Sequence, residues 1–151
     1  MTIREAKITD IDQIQVVRNS VTENRLSSPD KVTNEDCEEY IIRRGKGWVA
    51  EENEKVIGFA IADLADDNIW ALFILPEFEN RGIGKQLHHT MMDWYFGQGK
   101  KNVWLTTAPH TCAERFYADH GWSETSFGKE IRYEMNSDEW LSYKINLEGY
   151  Y

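Results

Sequence analysis

Residues Pro76 to Leu87 read PEFENRGIGKQL, with Gly82 and Gly84 one residue apart between the apolar run IWALFIL and a helical pattern. A strand that ends in a glycine-bearing loop and feeds a helix presents unpaired backbone N–H groups to an anion. Gly82 and Gly84 would let phosphate oxygens approach the main chain without meeting a Cβ, and the helix dipole adds a favourable field. Arg81 and Lys85 would bring positive charge to the same place. Two phosphate motifs fail here. A P-loop needs glycine where Glu79 stands and Ser or Thr where Gln86 stands, and a dinucleotide fingerprint needs glycine where Leu87 stands. Taken alone, the glycine pair is better read as a flexible entrance to a helix.

The elements around the loop follow from periodicity. TIREAKI alternates as a strand, and Asp10 is read as the cap of a helix whose face is Ile11, Ile14, Val17 and Val21. Thr33 with Asp36 forms a capping-box pattern for a second helix, Thr33 to Arg44, ended by Gly45. GWVAEE and KVIGFAIADL read as a hairpin turning at Asn53 and Glu54. The run IWALFIL is apolar at every position, as expected of a central strand covered on both faces. A helix from Gly82 to about Phe96 carries Ile83, Leu87, Met91, Trp94 and Tyr95 on one stripe. The strand NVWLTTA follows, then a short helix with Ala113, Phe116, Tyr117 and His120 on one face. WSETSF and IRYEM close the sheet, the latter near an edge, and DEWLSY is read as at most one last helical turn. Hairpins beside crossovers give an α/β fold with a mixed, α+β-like sheet of about seven strands and helices on both faces.

Composition bounds the function. The 151 residues are read as one domain, residues 1–151, with 41% hydrophobic residues and six Trp, enough for a real core. Ile69 to Leu75, the longest apolar run, falls far short of the roughly 20 residues that span a bilayer, and MTIREAKITD lacks an apolar signal segment, so neither membrane insertion nor export is expected and a cytoplasmic location is. A net charge of −9 disfavours nucleic acid. Cys37 and Cys112 have no metal-ligand spacing and read as plain thiols, and no metal is expected. Exposed edge strands and a Trp-rich surface are compatible with a homodimer, with no segment marking its interface.

The glycine pair does not stand alone. LFILPEFENRGIGKQL, followed after one strand by AERFYADHGW, resembles the two central motifs of the GNAT superfamily of acetyl-CoA-dependent N-acetyltransferases. The first matches that family's strand, Pro-Glu and Gly-x-Gly loop, and the second its Ala-x-x-Phe-Tyr-x-x-x-Gly-aromatic segment. The element order is also the family's. Glu79 stands where Gln or Arg is usual, so its side chain is expected to face away from phosphate. Trp122 replaces the usual Phe, with little consequence expected, and His110 stands where many members have an Asn that helps hold the pantetheine arm.

The resemblance implies acetyl-CoA in a cleft where the strand Ile69 to Leu75 splays from the strand Asn102 to Ala108. Pantetheine would pair with backbone groups of Leu72, Phe73 and Ile74, and pyrophosphate would sit on amides of Asn80, Arg81, Gly82, Ile83, Gly84 and Lys85. A backbone N–H near Phe73 would meet the developing oxyanion, and Tyr117 would be the general acid for the departing thiolate. The acceptor, a primary amine of a small molecule or peptide attacking directly in a ternary complex, would meet the first two helices and their loop. There Arg18, Asn19, Glu23, Asn24 and Arg25 form a polar cluster, with Glu23, Asn24 and Arg25 as the substrate-binding candidates and a small polar amine as the expected ligand. The central strand carries no carboxylate. Asp63, Asp66, Asp67 and Glu23 read as solvated surface acids, and no residue is assigned as base. The competing reading is an inactive acetyl-CoA or CoA sensor or interaction module.

Overall fold

The computed structural model describes residues 1–21 and 32–148. β1 (Thr2–Glu5), α1 (Ile11–Ser20) and α2 (Asn34–Glu38) precede β2 (Gly45–Glu52), β3 (Lys55–Asp63) and β4 (Asn68–Ile74). α3 (Ile83–Gly97), β5 (Asn102–Thr107), α4 (Cys112–Asp119), β6 (Ser123–Phe127), β7 (Ile131–Asn136) and α5 (Ser137–Glu148) follow. The seven strands form one mixed sheet in the order β1-β2-β3-β4-β5-β7-β6, and only the β4–β5 pair is parallel. This is the expected architecture.

The hairpin between β2 and β3 turns where the polar pair was read. Asn53 and Glu54 both have positive φ, 52° and 65°, the combination whose twist suits a two-residue hairpin. β3 is buried from Val56 to Asp63, so both of its faces must be covered. Gly58 approaches the side chains of Ile74 and Leu87, which puts α3 on one face. The Arg18 guanidinium lies over the rings of Phe59 and Phe73, which puts α1 on the other. β7 lies one strand in from the edge, burying Ile131, Tyr133 and Met135, and the fully exposed β6 forms the edge itself.

Four local readings change. Asp10 does not cap α1: its carboxylate accepts two bonds of 2.8 Å from Arg4 and one of 2.8 Å from the Lys7 N–H, closing the 3₁₀ turn that precedes the helix. These partners hold its carboxyl below the usual range, the Arg4 bond first. The capping box of Thr33 and Asp36 is present, with both bonds at 3.0 Å, but after Glu38 the helix widens into a π turn, Glu39–Arg44. The C-terminal segment is a full helix, α5, anchored by Trp140, which donates to Asp93 at 2.8 Å. Asp63 is no surface acid. It is 1% exposed and held bidentately by Arg44 at 3.1 and 2.8 Å.

A register shift between Ile61 and Ala62 pairs those neighbours with Ala71 and Ile69, so Trp70 has no cross-strand partner. Such a bulge re-aims a side chain. The Trp70 ring stacks on Tyr40 of the π turn with centroids 4.0 Å apart.

Candidate active site

β4 and β5 share a single bridged pair, Asn68 with Trp104, and diverge beyond it. On the other side of β4, the Leu75 N–H donates to Ile57 O at 2.8 Å and Phe59 faces Phe73. Antiparallel alternation therefore spends the Phe73 backbone groups on β3 and aims those of Leu72 and Ile74 at the open edge. A cleft of about 540 Å³ lies against that edge. Leu72, Phe73 and Ile74 form one wall, Phe116 and Tyr117 of α4 face them, and the loop before α3 closes one end with Asn80, Gly82, Ile83, Gly84 and Lys85. Among the described residues, β5 contributes nothing to the lining, so α4 takes the place expected of that strand.

The loop is built as an anion cradle would be. Gly82 takes φ 80° and Asn80 φ 64°, and the first backbone bond of α3 runs from Gln86 N–H to Gly82 O at 3.1 Å. Ile83, Gly84 and Lys85 therefore keep their amides outside the helix ladder. Among the described residues no side chain caps this terminus, and no acid stands in its first turn. A Cβ on Gly82 would meet nothing within 4 Å, whereas one on Gly84 would sit 3.6 Å from Phe116 and 3.8 Å from Ile74, both cleft walls.

Lys85 lines the cleft and Arg115 joins it from α4, while Arg81 lies outside the lining with its guanidinium 5.0 Å from the centre of the Phe78 ring. Glu79 is solvent-exposed and also part of the lining, as is Asp119, so the rim carries both signs of charge.

Tyr117 is 6% exposed and lines the cleft. Its ring meets Phe116 at 5.4 Å and Trp122 at 5.6 Å, both edge-on. Burial pushes its phenol above the ordinary range, so the hydroxyl keeps its proton at neutral pH. Behind it, His88 is 1% exposed and accepts a 2.9 Å bond from the Trp122 indole N–H. Phenylalanine cannot make that bond, so Trp122 is a consequential exchange, contrary to expectation.

Burial, then the neighbouring His120 and His89, lowers the His88 pKa to about 3. An unfolded chain takes up this proton below roughly pH 6.5, while the folded one refuses it. The stability His88 contributes is therefore complete above about pH 6.5 and is lost as pH falls toward 3, with a slope of up to about 1.4 kcal/mol per pH unit. Urea midpoints between pH 7 and 4.5 should fall less steeply for His88→Gln than for the parent chain; parallel curves would contradict the assignment.

Of the residues singled out from sequence, Tyr117, the three β4 residues and the glycine loop except Arg81 converge on one cleft. His110 does not join them. It has φ 62° and its N–H donates to the Glu114 carboxylate, while Thr111 caps α4 by accepting from Glu114 N–H at 3.2 Å. Glu23, Asn24 and Arg25 lie outside the described residues. Asp66 and Asp67 are engaged elsewhere, paired at 2.7 Å with Arg44 and Lys100. The lining also includes Val21, Arg115, Phe116, Asp119 and His120, which carried no functional assignment, although the helix faces that hold Val21, Phe116 and His120 were legible. His120 donates from Nδ1 to Phe116 O at 2.6 Å and stacks on the Phe116 ring.

A family model described as the acetyltransferase (GNAT) family matches residues 10–122. No curated protein sequence matches the chain significantly. Among solved structures, the PaiA N-acetyltransferase of Thermoplasma acidophilum in complex with coenzyme A is 18% identical, covers 89% of this chain and 98% of its own, and superposes with a TM-score of 0.73. A GNAT-family acetyltransferase of Staphylococcus aureus is 19% identical over 89% of this chain and 98% of its own, with a TM-score of 0.77. The ribosomal-protein-S18-alanine N-acetyltransferase of Escherichia coli is 18% identical over 89% and 92%, with a TM-score of 0.73. At these identities the likeness is one of fold.

Proposed function

This chain belongs to the acetyltransferase (GNAT) family, and from that premise we propose that its cleft binds acetyl-CoA and directs the acetyl group onto a primary amine of a small molecule or peptide, in one ternary complex. The observation that carries the reading is the meeting, in one cleft, of an open β4 edge, an uncapped α3 terminus and the buried Tyr117. The residues suit the ligand. Pyrophosphate oxygens match the free amides of Ile83, Gly84 and Lys85, and pantetheine amides match the outward backbone groups of Leu72 and Ile74.

Acetyl-CoA supplies an activated acyl group as a thioester. The chain's part is to hold the carbonyl against a backbone N–H, to exclude water and to provide a proton. The N–H expected near Phe73 is assigned to Leu72 or Ile74, because the Phe73 N–H is turned to β3. The amine nitrogen forms the new bond to the acyl carbon, the carbon–sulfur bond breaks, and the Tyr117 hydroxyl offers its proton to the departing sulfur. The amine's surplus proton leaves through water and restores Tyr117. No carboxylate stands on β4, and Asp63 is locked to Arg44, so no side chain is assigned as base.

That absence favours one alternative, a module that binds the cofactor without turnover. Thiol release from acetyl-CoA across polyamines, aminoglycosides, amino acids and basic peptides separates the two. Release above buffer with at least one amine is expected; binding of acetyl-CoA with no release for any of them would leave the module.

A further inference from the structure

Arg18, in the last turn of α1, is a buried cation, 8% exposed, and its Nε and Nη2 find no hydrogen-bond partner among the described residues. Arginine is almost never buried without a partner, because the full desolvation cost then goes unanswered. What surrounds the guanidinium is aromatic: Trp70 at 4.7 Å, Phe73 at 5.2 Å and Phe59 at 5.6 Å from its carbon. Ring faces hold a cation in place without neutralising it and without occupying its N–H groups.

The two idle nitrogens form one edge of the guanidinium, and the same chain shows what that edge takes. Arg44 uses its Nε and Nη2 to grip both oxygens of Asp63 at 3.1 and 2.8 Å, and Arg4 uses the same pair on Glu51 at 3.4 and 3.2 Å. On Arg18 the same edge is buried and carries no carboxylate from the described residues. Arg18 lies beside the cleft, not in its lining: Phe73 beneath its guanidinium and Val21, whose N–H meets the Arg18 carbonyl, both belong to that lining. The bulge at Trp70 brings the principal ring of this platform to the α1 face.

We propose that the Nε–Nη2 edge of Arg18 binds a carboxylate of the acceptor, which is therefore an amine that itself carries a carboxylate, as an amino acid does. The proposal rests on the acetyl-transfer reading for the identity of the ligand and deepens it. A planar two-oxygen anion matches the planar edge, and a bidentate pair in a desolvated site is among the stronger hydrogen-bonded contacts a side chain makes.

The test compares ω-amino acids with alkylamines of equal length, and α-amino acids with their amides, as acceptors for acetyl-CoA. The carboxylates are expected to be preferred by roughly 10- to 100-fold in kcat/KM, chiefly through KM. Arg18→Gln should abolish the preference and Arg18→Lys should keep part of it, with the acetyl-CoA dissociation constant unchanged in both. Calorimetric binding of an N-acetyl-ω-amino acid in the presence of CoA, lost in Arg18→Gln, gives a readout without turnover. Binding that depends on Arg18 with no thiol release from any amine would sink the transfer reading and keep this one. Equal rates with and without the carboxylate, or a preference that survives Arg18→Gln, would overturn this one and keep the other. Should Arg18→Gln fail to fold, the matched acceptors on the parent chain and on Arg18→Lys decide alone.

Discussion

Tyr117→Phe is expected to lower kcat for acetyl transfer by roughly 10²-fold or more, the range for losing a positioned general acid, while acetyl-CoA affinity stays near that of the parent chain. The substitution removes one oxygen and keeps the ring that packs between Phe116 and Trp122. Burial raises the phenol's pKa, so the proton is present across neutral pH, and under the proposed mechanism it would be drawn off only as charge develops beside it. A change confined to kcat therefore marks an interaction made in the transition state. Stopped binding titrations with acetyl-CoA and initial rates with a working amine measure the two quantities. Equal losses in binding and rate would make Tyr117 a packing residue of α4.

Gly84→Leu is expected to cost acetyl-CoA binding at least roughly 10²-fold, the order expected when a side chain fills a fitted site, and to leave the fold standing. The Cβ alone is tolerated, since its contacts with Phe116 and Ile74 are 3.6 and 3.8 Å. Those same two residues are opposite walls of the cleft, so the branches beyond the Cβ enter the space between them. Gly82→Ala is the matched control. Its Cβ meets nothing within 4 Å, but φ 80° strains an L residue by about 1–2 kcal/mol, so it should weaken folding more than it blocks the cleft. A thermal melt and a binding isotherm on both variants separate volume from backbone strain. Gly84→Leu binding as tightly as the parent would place the cofactor elsewhere.

Much of this architecture was readable because local signals agreed with one another. The β2–β3 turn at Asn53 and Glu54, the Thr33–Asp36 box and the stripe of α3 each state their element in neighbouring residues. What escaped depends on contacts that the local pattern does not announce. IWALFIL is apolar throughout, so no alternation marks the bulge that releases Trp70 from its register. Asp10 looks like a helix cap because it precedes an apolar face, and only β1, folded back beside it, supplies the Arg4 that claims its carboxylate. SDEWLSYKINLE lacks a clean apolar stripe, so α5 reads shorter than it is until Asp93 appears as the partner of Trp140.

The site divides in the same way. Gly82, Gly84 and Tyr117 were legible through motifs, because each acts from within a short contiguous segment. Arg18 was legible only as part of a polar helix end, and its burial comes from the rings of β3 and β4 closing over it. Trp122 looked like a routine aromatic exchange because its partner, His88, lies 34 residues away in sequence. Buried polar pairs between separate helices and strands leave no local trace.

The central claim is that one cleft holds the thioester between the open edge of β4 and Tyr117. The most direct measurement is a crystal structure of the chain with acetyl-CoA. The account predicts pyrophosphate on the amides of Ile83, Gly84 and Lys85, and the sulfur within hydrogen-bonding reach of the Tyr117 hydroxyl. Acetyl-CoA bound away from the α3 terminus, or seated there with its sulfur out of reach of Tyr117, would contradict it.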